Sequence, residues 1–234
     1  MKETVYIGID LAWGEKNLSG FCVMDAQCRI LELDLIKESD VMLHKIFEYQ
    51  KEFAVKVGID APLAVNNIHG NRDIEKLFLK DFSKYKISML PINRMIMLKI
   101  ASSMKAPKLG IHLLEHGFNF NMDSSNTLSE VYTHSTIAVL FNDYKIIPYK
   151  RKKGRSTAMI RSALEYYRKC LQFISGAETF FAEDISKLKG AALKDYEDQL
   201  DAITCAYTML YADHHPKRCK TYNGEAGSIL VTPI

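Results

Sequence analysis

Val5-Tyr6-Ile7-Gly8-Ile9-Asp10 and Val55-Lys56-Val57-Gly58-Ile59-Asp60 are the two stretches whose reading decides the fold. Each is a nearly apolar run that ends in Gly-Ile-Asp. Side chains alternate across a strand, so Val5, Ile7 and Ile9 face one side while Tyr6, Gly8 and Asp10 face the other. Gly58 and Asp60 share a side in the same way. A run as apolar as 55–60 reads as a central strand covered by helices on both faces. The repeat predicts two paired strands that present Asp10 and Asp60 at a common edge, each with a glycine leaving space beside it.

Working outward, strands are predicted over 4–10, 18–24 and 28–36. The turn-like Asp25-Ala26-Gln27 joins the last two, and the short spacing favours an antiparallel meander. A helix follows over 38–51, then the strand 55–60, which Pro62 stops. Residues 66–122 are the least regular and read as a partly helical insertion, with a helix over 72–85 and Pro91 and Pro107 as punctuation. Val131 to Phe141 resembles a strand running into a short helix. Residues 145–155 form a basic loop, 157–174 a helix, 187–212 a long helix, and Ile229-Leu230-Val231 lies in an apolar tail. This order suits one α/β domain over 1–234, a mixed sheet with helices on both faces.

The long helix carries the most specific signal. Asp198, Asp201, Ala202, Cys205, Ala206 and Met209 follow helical spacing and share one face. Most of that face is small and apolar, so it packs closely and carries its two leading acids towards the sheet edge, near Asp10 and Asp60. Buried like charges repel, and a divalent cation is the simplest physical remedy. Oxygen-only ligands favour magnesium or manganese. Each acid alone also reads as a strand end, a turn or a first-turn helix residue. Glu130, opening Glu130-Val131-Tyr132-Thr133-His134, is a further candidate. His134 and His69 are candidates for proton transfer, and Glu183 and Asp184 read as loop or capping acids.

Tyr149-Lys150-Arg151-Lys152-Lys153-Gly154-Arg155 holds five cations in seven residues. It reads either as a solvated face or as a phosphate-attracting loop, with Lys150 and Arg155 the expected phosphate contacts. The net charge of +3 and the composition, 47% hydrophobic and 25% charged over 234 residues, are those of a soluble globular protein. Five scattered cysteines without a CxxC pair predict reduced thiols and a cytoplasmic location. No segment approaches the roughly 20 apolar residues of a membrane span. Dinucleotide, P-loop, nucleophile-elbow and zinc-ligand patterns are absent from the sequence.

These residues together resemble a family. Gly8-Ile9-Asp10 on a first strand, Asp60 ending a fourth, and Asp198-x-x-Asp201-Ala202 on a last helix resemble the ribonuclease H-like superfamily. Within it the chain is similar to the domain-of-unknown-function 429 proteins, described as predicted nucleases. Gly58-Ile59-Asp60-Ala61-Pro62, Asn71-Arg72-Asp73, Glu130-Val131-Tyr132, Lys153-Gly154-Arg155 and Gly227-Ser228-Ile229-Leu230-Val231 carry the likeness along nearly the whole chain. The chain departs from the family in having Thr133 where proline is common. It also lacks the early helix glutamate of ribonuclease H, for which Glu48 and Glu52 are weak stand-ins.

The resemblance implies a five-stranded mixed sheet and metal-dependent hydrolysis of phosphodiester bonds in nucleic acid. Asp10 would anchor the magnesium or manganese ions, Asp60 would hold one, and Asp198 or Asp201 the other. Two alternatives stand beside it: a small-metabolite phosphoryl- or acyl-group enzyme on an actin-like core, and a non-catalytic nucleic-acid-binding module.

Overall fold

The computed structural model describes residues 2–14, 16–101 and 104–234. Strands β1 (Thr4–Asp10), β2 (Ser19–Asp25) and β3 (Ile30–Ile36) precede α1 (Ser39–Glu52) and β4 (Ala54–Ile59). Helices α2 (Asp73–Phe82), α3 (Arg94–Ala101) and α4 (Lys105–Glu115) lie between β4 and β5 (Asn126–Val131). Then come α5 (Thr133–Phe141), α6 (Thr157–Cys170), the short α7 (Glu178–Phe181), α8 (Ala191–His214), β6 (Cys219–Asn223) and β7 (Ile229–Pro233).

The strands form one mixed sheet of seven, in the order β3-β2-β1-β4-β5-β7-β6. The meander β1-β2-β3 is antiparallel, whereas β1, β4, β5 and β7 run parallel. The expectation of five strands is therefore corrected by the closing hairpin of β6 and β7, which extends the β5 edge. β6 escapes a sequence reading because it is an edge strand. Only Tyr222 of its five residues is buried, so no alternating pattern marks it.

Three boundaries also differ from the sequence reading. β5 starts at Asn126 and ends at Val131, so Glu130 closes a strand instead of opening one. Thr127, Ser129 and Glu130 make the run look polar, yet all three are buried. Pro107 lies inside α4, in the first turn, where its missing N–H costs nothing. α8 begins after Gly190, whose φ of +59° suits a residue without a side chain, so Asp198 and Asp201 lie beyond its first turn and do not lead it.

The strand alternation fixes the two layers. Val5, Ile7, Ile9, Val57 and Ile59 pack with α1 and α4 residues such as Ile46, Leu109 and Leu113. On the opposite face, Tyr6, Cys22, Met24 and Val131 pack with α6 and α8. α8 approaches that face unusually closely. A Cβ on Gly8 would lie 2.0 Å from the Ala202 carbonyl oxygen and 2.2 Å from the Ala206 nitrogen. One on Gly20 would lie 2.1 Å from the Asp198 carbonyl oxygen, and one on Gly58 2.7 Å from Met209. Three strand glycines thus form a bed for one helix and fix how far along the sheet its acids reach.

Candidate functional site

β1 and β4 pair in parallel, with Gly8 opposite Gly58 and Ile9 opposite Ile59. The Asp60 N–H continues the ladder by donating to the Ile9 carbonyl at 2.8 Å. Asp10 and Asp60 therefore leave the same edge side by side, on the face covered by α8. Asp10 is also opposite Gly20, the residue on which the Asp198 backbone rests. This brings the Asp198 carboxyl onto that of Asp10. Asp10, Asp60 and Asp198 line a cleft of about 980 Å³, together with Trp13, Tyr132 and His134.

Asp201 belongs to the same group but is wholly buried. Its Oδ1 accepts from the Tyr149 hydroxyl at 2.7 Å and the Tyr167 hydroxyl at 3.0 Å. Its Oδ2 is taken by the Lys150 ammonium. Lys150 also lies 3.3 Å from Glu197 Oε1 and 3.9 Å from Asp10 Oδ2. Lys194, one turn before Asp198, pairs with Asp198 and with Glu197 at 3.1 Å. Five acids (Asp10, Asp60, Glu197, Asp198 and Asp201) thus share two cations, Lys150 and Lys194, and three negative charges remain formally unmatched. Among the described residues, no three acid, histidine or cysteine side chains are arranged to hold an ion as they stand.

The electrostatics follow from this crowding. Burial, with the Asp10 charge next, pushes the Asp60 carboxyl up to about 7 and the Asp198 carboxyl up to about 8. Thr133 opposes this at Asp60 by donating to Oδ2 at 2.8 Å. Burial alone would lower the Lys150 ammonium, but Asp201, Asp10 and Glu197 outweigh it and hold it charged. His134 packs edge-on against Tyr149, ring centroids 5.0 Å apart. Its burial pushes it down to about 4, so it is neutral at pH 7.

A pH dependence follows. The Asp198 value lies above the ordinary carboxylate value of about 4. The stability carried by its protonated form is complete below that ordinary value and is lost as pH rises through about 8. In metal-free protein, Asp198→Asn should melt higher than wild type, and the gap should widen between about pH 5 and pH 8. The lost ion pair with half-exposed Lys194 opposes this only weakly. A gap that stays constant or reverses over this range would contradict the crowding.

Glu130 lines the cleft but faces away from this cluster. It pairs with Ile59, one residue before Asp60, and so points to the other side of the sheet. There Arg72 donates to both its oxygens at 2.8 Å, and the Leu63 N–H donates at 2.9 Å. Arg72 also reaches Glu75 at 2.9 Å and the Ala64 carbonyl at 2.9 Å. All three side chains are buried. The geometry makes them a clamp that ties α2 to the sheet. Arg72→Met should leave two buried carboxylates without a counter-charge, held only by backbone N–H groups, and cost about 3–5 kcal/mol. Urea unfolding checks this, and a loss under about 1 kcal/mol would contradict the clamp.

The basic loop divides. Tyr149 is core, Lys150 turns inward to the acids, and Arg151, Lys152 and Arg155 line the cleft. Arg155 donates to the Lys150 carbonyl at 2.8 Å. His69 is exposed and outside the cleft, Glu48 pairs with Lys51 at 2.6 Å on α1, and Asp184 caps a short turn by accepting from the Ser186 N–H at 3.1 Å. Glu197, Lys194, Thr133 and the two tyrosines are the site residues that motif reading misses. The spacing of Lys194 to Glu197 and Asp198, three and four residues, is the signal that marks the first two.

A family model described as "Protein of unknown function (DUF429)" matches residues 8–225. The chain belongs to this family, and the match takes in the whole cluster from Asp10 to Asp201. No curated protein and no solved structure matches the chain. Among the described residues, no helix is long and apolar enough to cross a membrane, and all five cysteines are free.

Proposed function

We propose that the chain hydrolyses phosphodiester bonds in nucleic acid with the help of magnesium or manganese. The observation that carries this is the meeting of Asp10, Asp60 and Asp198 at the edge of two parallel strands, on the wall of a cleft that also holds Arg151, Lys152 and Arg155. The mixed sheet supports the ribonuclease H-like reading, with acids closing the edge of the first and fourth strands and others within the last long helix.

The chemistry of the donors fits a hard cation. They are oxygens only, and their negative charge exceeds what Lys150 and Lys194 balance. Asp10, Asp60 and Asp198 are the residues that would hold it, since both oxygens of Asp201 already have partners. When bound, such an ion supplies charge for the attacking water and the leaving oxygen. Thr133 fixes the Asp60 carboxylate through one oxygen, beside the cleft that Asp60 lines. Arg151, Lys152 and Arg155 would hold the phosphates on either side of the scissile bond. Phosphate contacts of this kind position a strand without reading its sequence.

A second reading, a phosphoryl- or acyl-group enzyme on a small metabolite, draws on the cleft volume, which lies near the upper end of small-molecule sites. The test is cleavage of labelled single-stranded, duplex and branched DNA and RNA by metal-free protein, with and without added manganese or magnesium. Hydrolysis that appears with the ion and disappears with chelator is expected. Cleavage of none of them, together with stabilisation by a mononucleotide, would overturn the nuclease reading in favour of the second.

A further inference from the structure

We infer that Lys150 is a built-in cation of the site, so that the carboxylate cluster takes one divalent ion and not two. The inference rests on the proposed metal-dependent reading and specifies its stoichiometry. The Lys150 ammonium bonds to Asp201 and stands 3.3 Å from Glu197 and 3.9 Å from Asp10. Three carboxylates from two elements therefore converge on one nitrogen, which supplies a charge that a second ion would otherwise have to supply. Asp10 borders both halves of the cluster: Lys150 on one side, and Asp198 with Asp60 on the other.

Three features keep the ammonium there. Asp201 is fully buried, and its other oxygen is saturated by the Tyr149 and Tyr167 hydroxyls. If Lys150 left, Asp201 would be a buried charge without a counter-charge, which is strongly unfavourable. Tyr149, the preceding residue, is wholly buried and anchors the backbone in the core. Arg155 holds the Lys150 carbonyl at 2.8 Å across a turn in which Gly154 has φ +88°. About a third of the Lys150 side chain remains exposed, at 31%. The side chain thus lines the cleft while its ammonium keeps its carboxylate contacts.

The site therefore presents a fixed single charge beside a position for one exchangeable divalent ion. The second ion of a two-ion site spans roughly 3.5–4 Å from the first. The Asp201 and Glu197 oxygens that could face such an ion are instead engaged by the Lys150 and Lys194 ammonium groups. Glu197, which no motif singles out, then serves as a positioning residue through its contacts with Lys150 and Lys194.

The test is manganese binding to the full, metal-free chain, by calorimetry for stoichiometry and by electron paramagnetic resonance for coupling between ions. Wild type should bind one ion in the cleft with an uncoupled signal. Lys150→Gln should bind two, with the spectrum broadened by a neighbouring ion, and Lys150→Arg should stay at one. Two coupled ions on wild type would overturn the inference and leave the metal-dependent reading standing. One ion on both wild type and Lys150→Gln would overturn it as well. No ion on either protein would remove the metal-dependent reading itself. If Lys150→Gln does not fold, the wild-type stoichiometry and spectrum decide alone, since two coupled ions there contradict the built-in cation.

Discussion

Asp10→Asn should abolish metal-dependent hydrolysis and yet make the metal-free protein more stable. The two effects have one cause. The Asp10 charge is the second-largest contribution, after burial, to the raised carboxyls of both Asp60 and Asp198. Removing it relieves repulsion on both sides while keeping the side chain's shape. A gain of about 1 kcal/mol corresponds to a melting temperature roughly 2–4 °C higher for a chain of this length. Hydrolysis, in contrast, should fall on the order of 10³-fold, equivalent to about 4 kcal/mol of transition-state stabilisation. Manganese, which should raise the melting temperature of wild type by mass action, should do so much less in the variant. A purely structural Asp10 would behave oppositely: its loss would destabilise the chain at every pH and leave any hydrolysis intact. Thermal melts with and without manganese, run beside the cleavage assay, separate these cases.

The largest expected structural effect belongs to Gly8→Ala. The added methyl would meet backbone atoms of α8, at 2.0 and 2.2 Å, and no flexible side chain is there to give way. Overpacking of an ordinary core costs about 1–3 kcal/mol, occasionally more. Here the neighbour is a rigid helix in contact with β1, β2 and β4, so the cost should lie above that range. Either the helix lifts, which separates Asp198 from Asp10, or the chain fails to fold. Gly110→Ala is the contrasting case. Gly110 lies within α4, and its nearest obstacle is a Leu63 side chain at 3.5 Å, an ordinary contact. Replacing glycine by alanine in a helix interior gains roughly 0.5–1 kcal/mol. Denaturant melts of the two variants should therefore move in opposite directions. Equal, small shifts would show that α8 does not sit as closely on β1 as described.

Those same glycines explain what the sequence makes legible. In Tyr6-Ile7-Gly8-Ile9-Asp10, the alternation is enough to place Asp10 on the glycine side, and the repeat in 55–60 places Asp60 beside it. The small face Ala202, Cys205, Ala206 on the last helix is complementary to a bed without side chains, and it lies over Gly8 and Gly58. Convergence of the acids is thus a local property of three short segments. The contacts of Glu130 are not local. Which face it takes depends on the register of β5 against β4, and its partner Arg72 lies 58 residues away.

Lys150 is hidden for a different reason. A run of five cations reads as a solvated or phosphate-binding loop, and nothing in it says that Tyr149 is core and that the next side chain turns towards Asp201. The edge strand β6 is invisible because Cys219, Lys220, Thr221 and Asn223 show no buried alternation. Pattern alone therefore recovers the acids and the layers that carry them. Which acids already have partners is set by long-range pairing that no window of sequence contains.

The most direct measurement of the central claim is the anomalous density of crystals soaked in manganese. Density is expected in the cleft, bonded to Asp10 and to Asp60 or Asp198, with Lys150 still on Asp201. Cleft carboxylates without such density at saturating manganese, or manganese bound only away from Asp10, would contradict it.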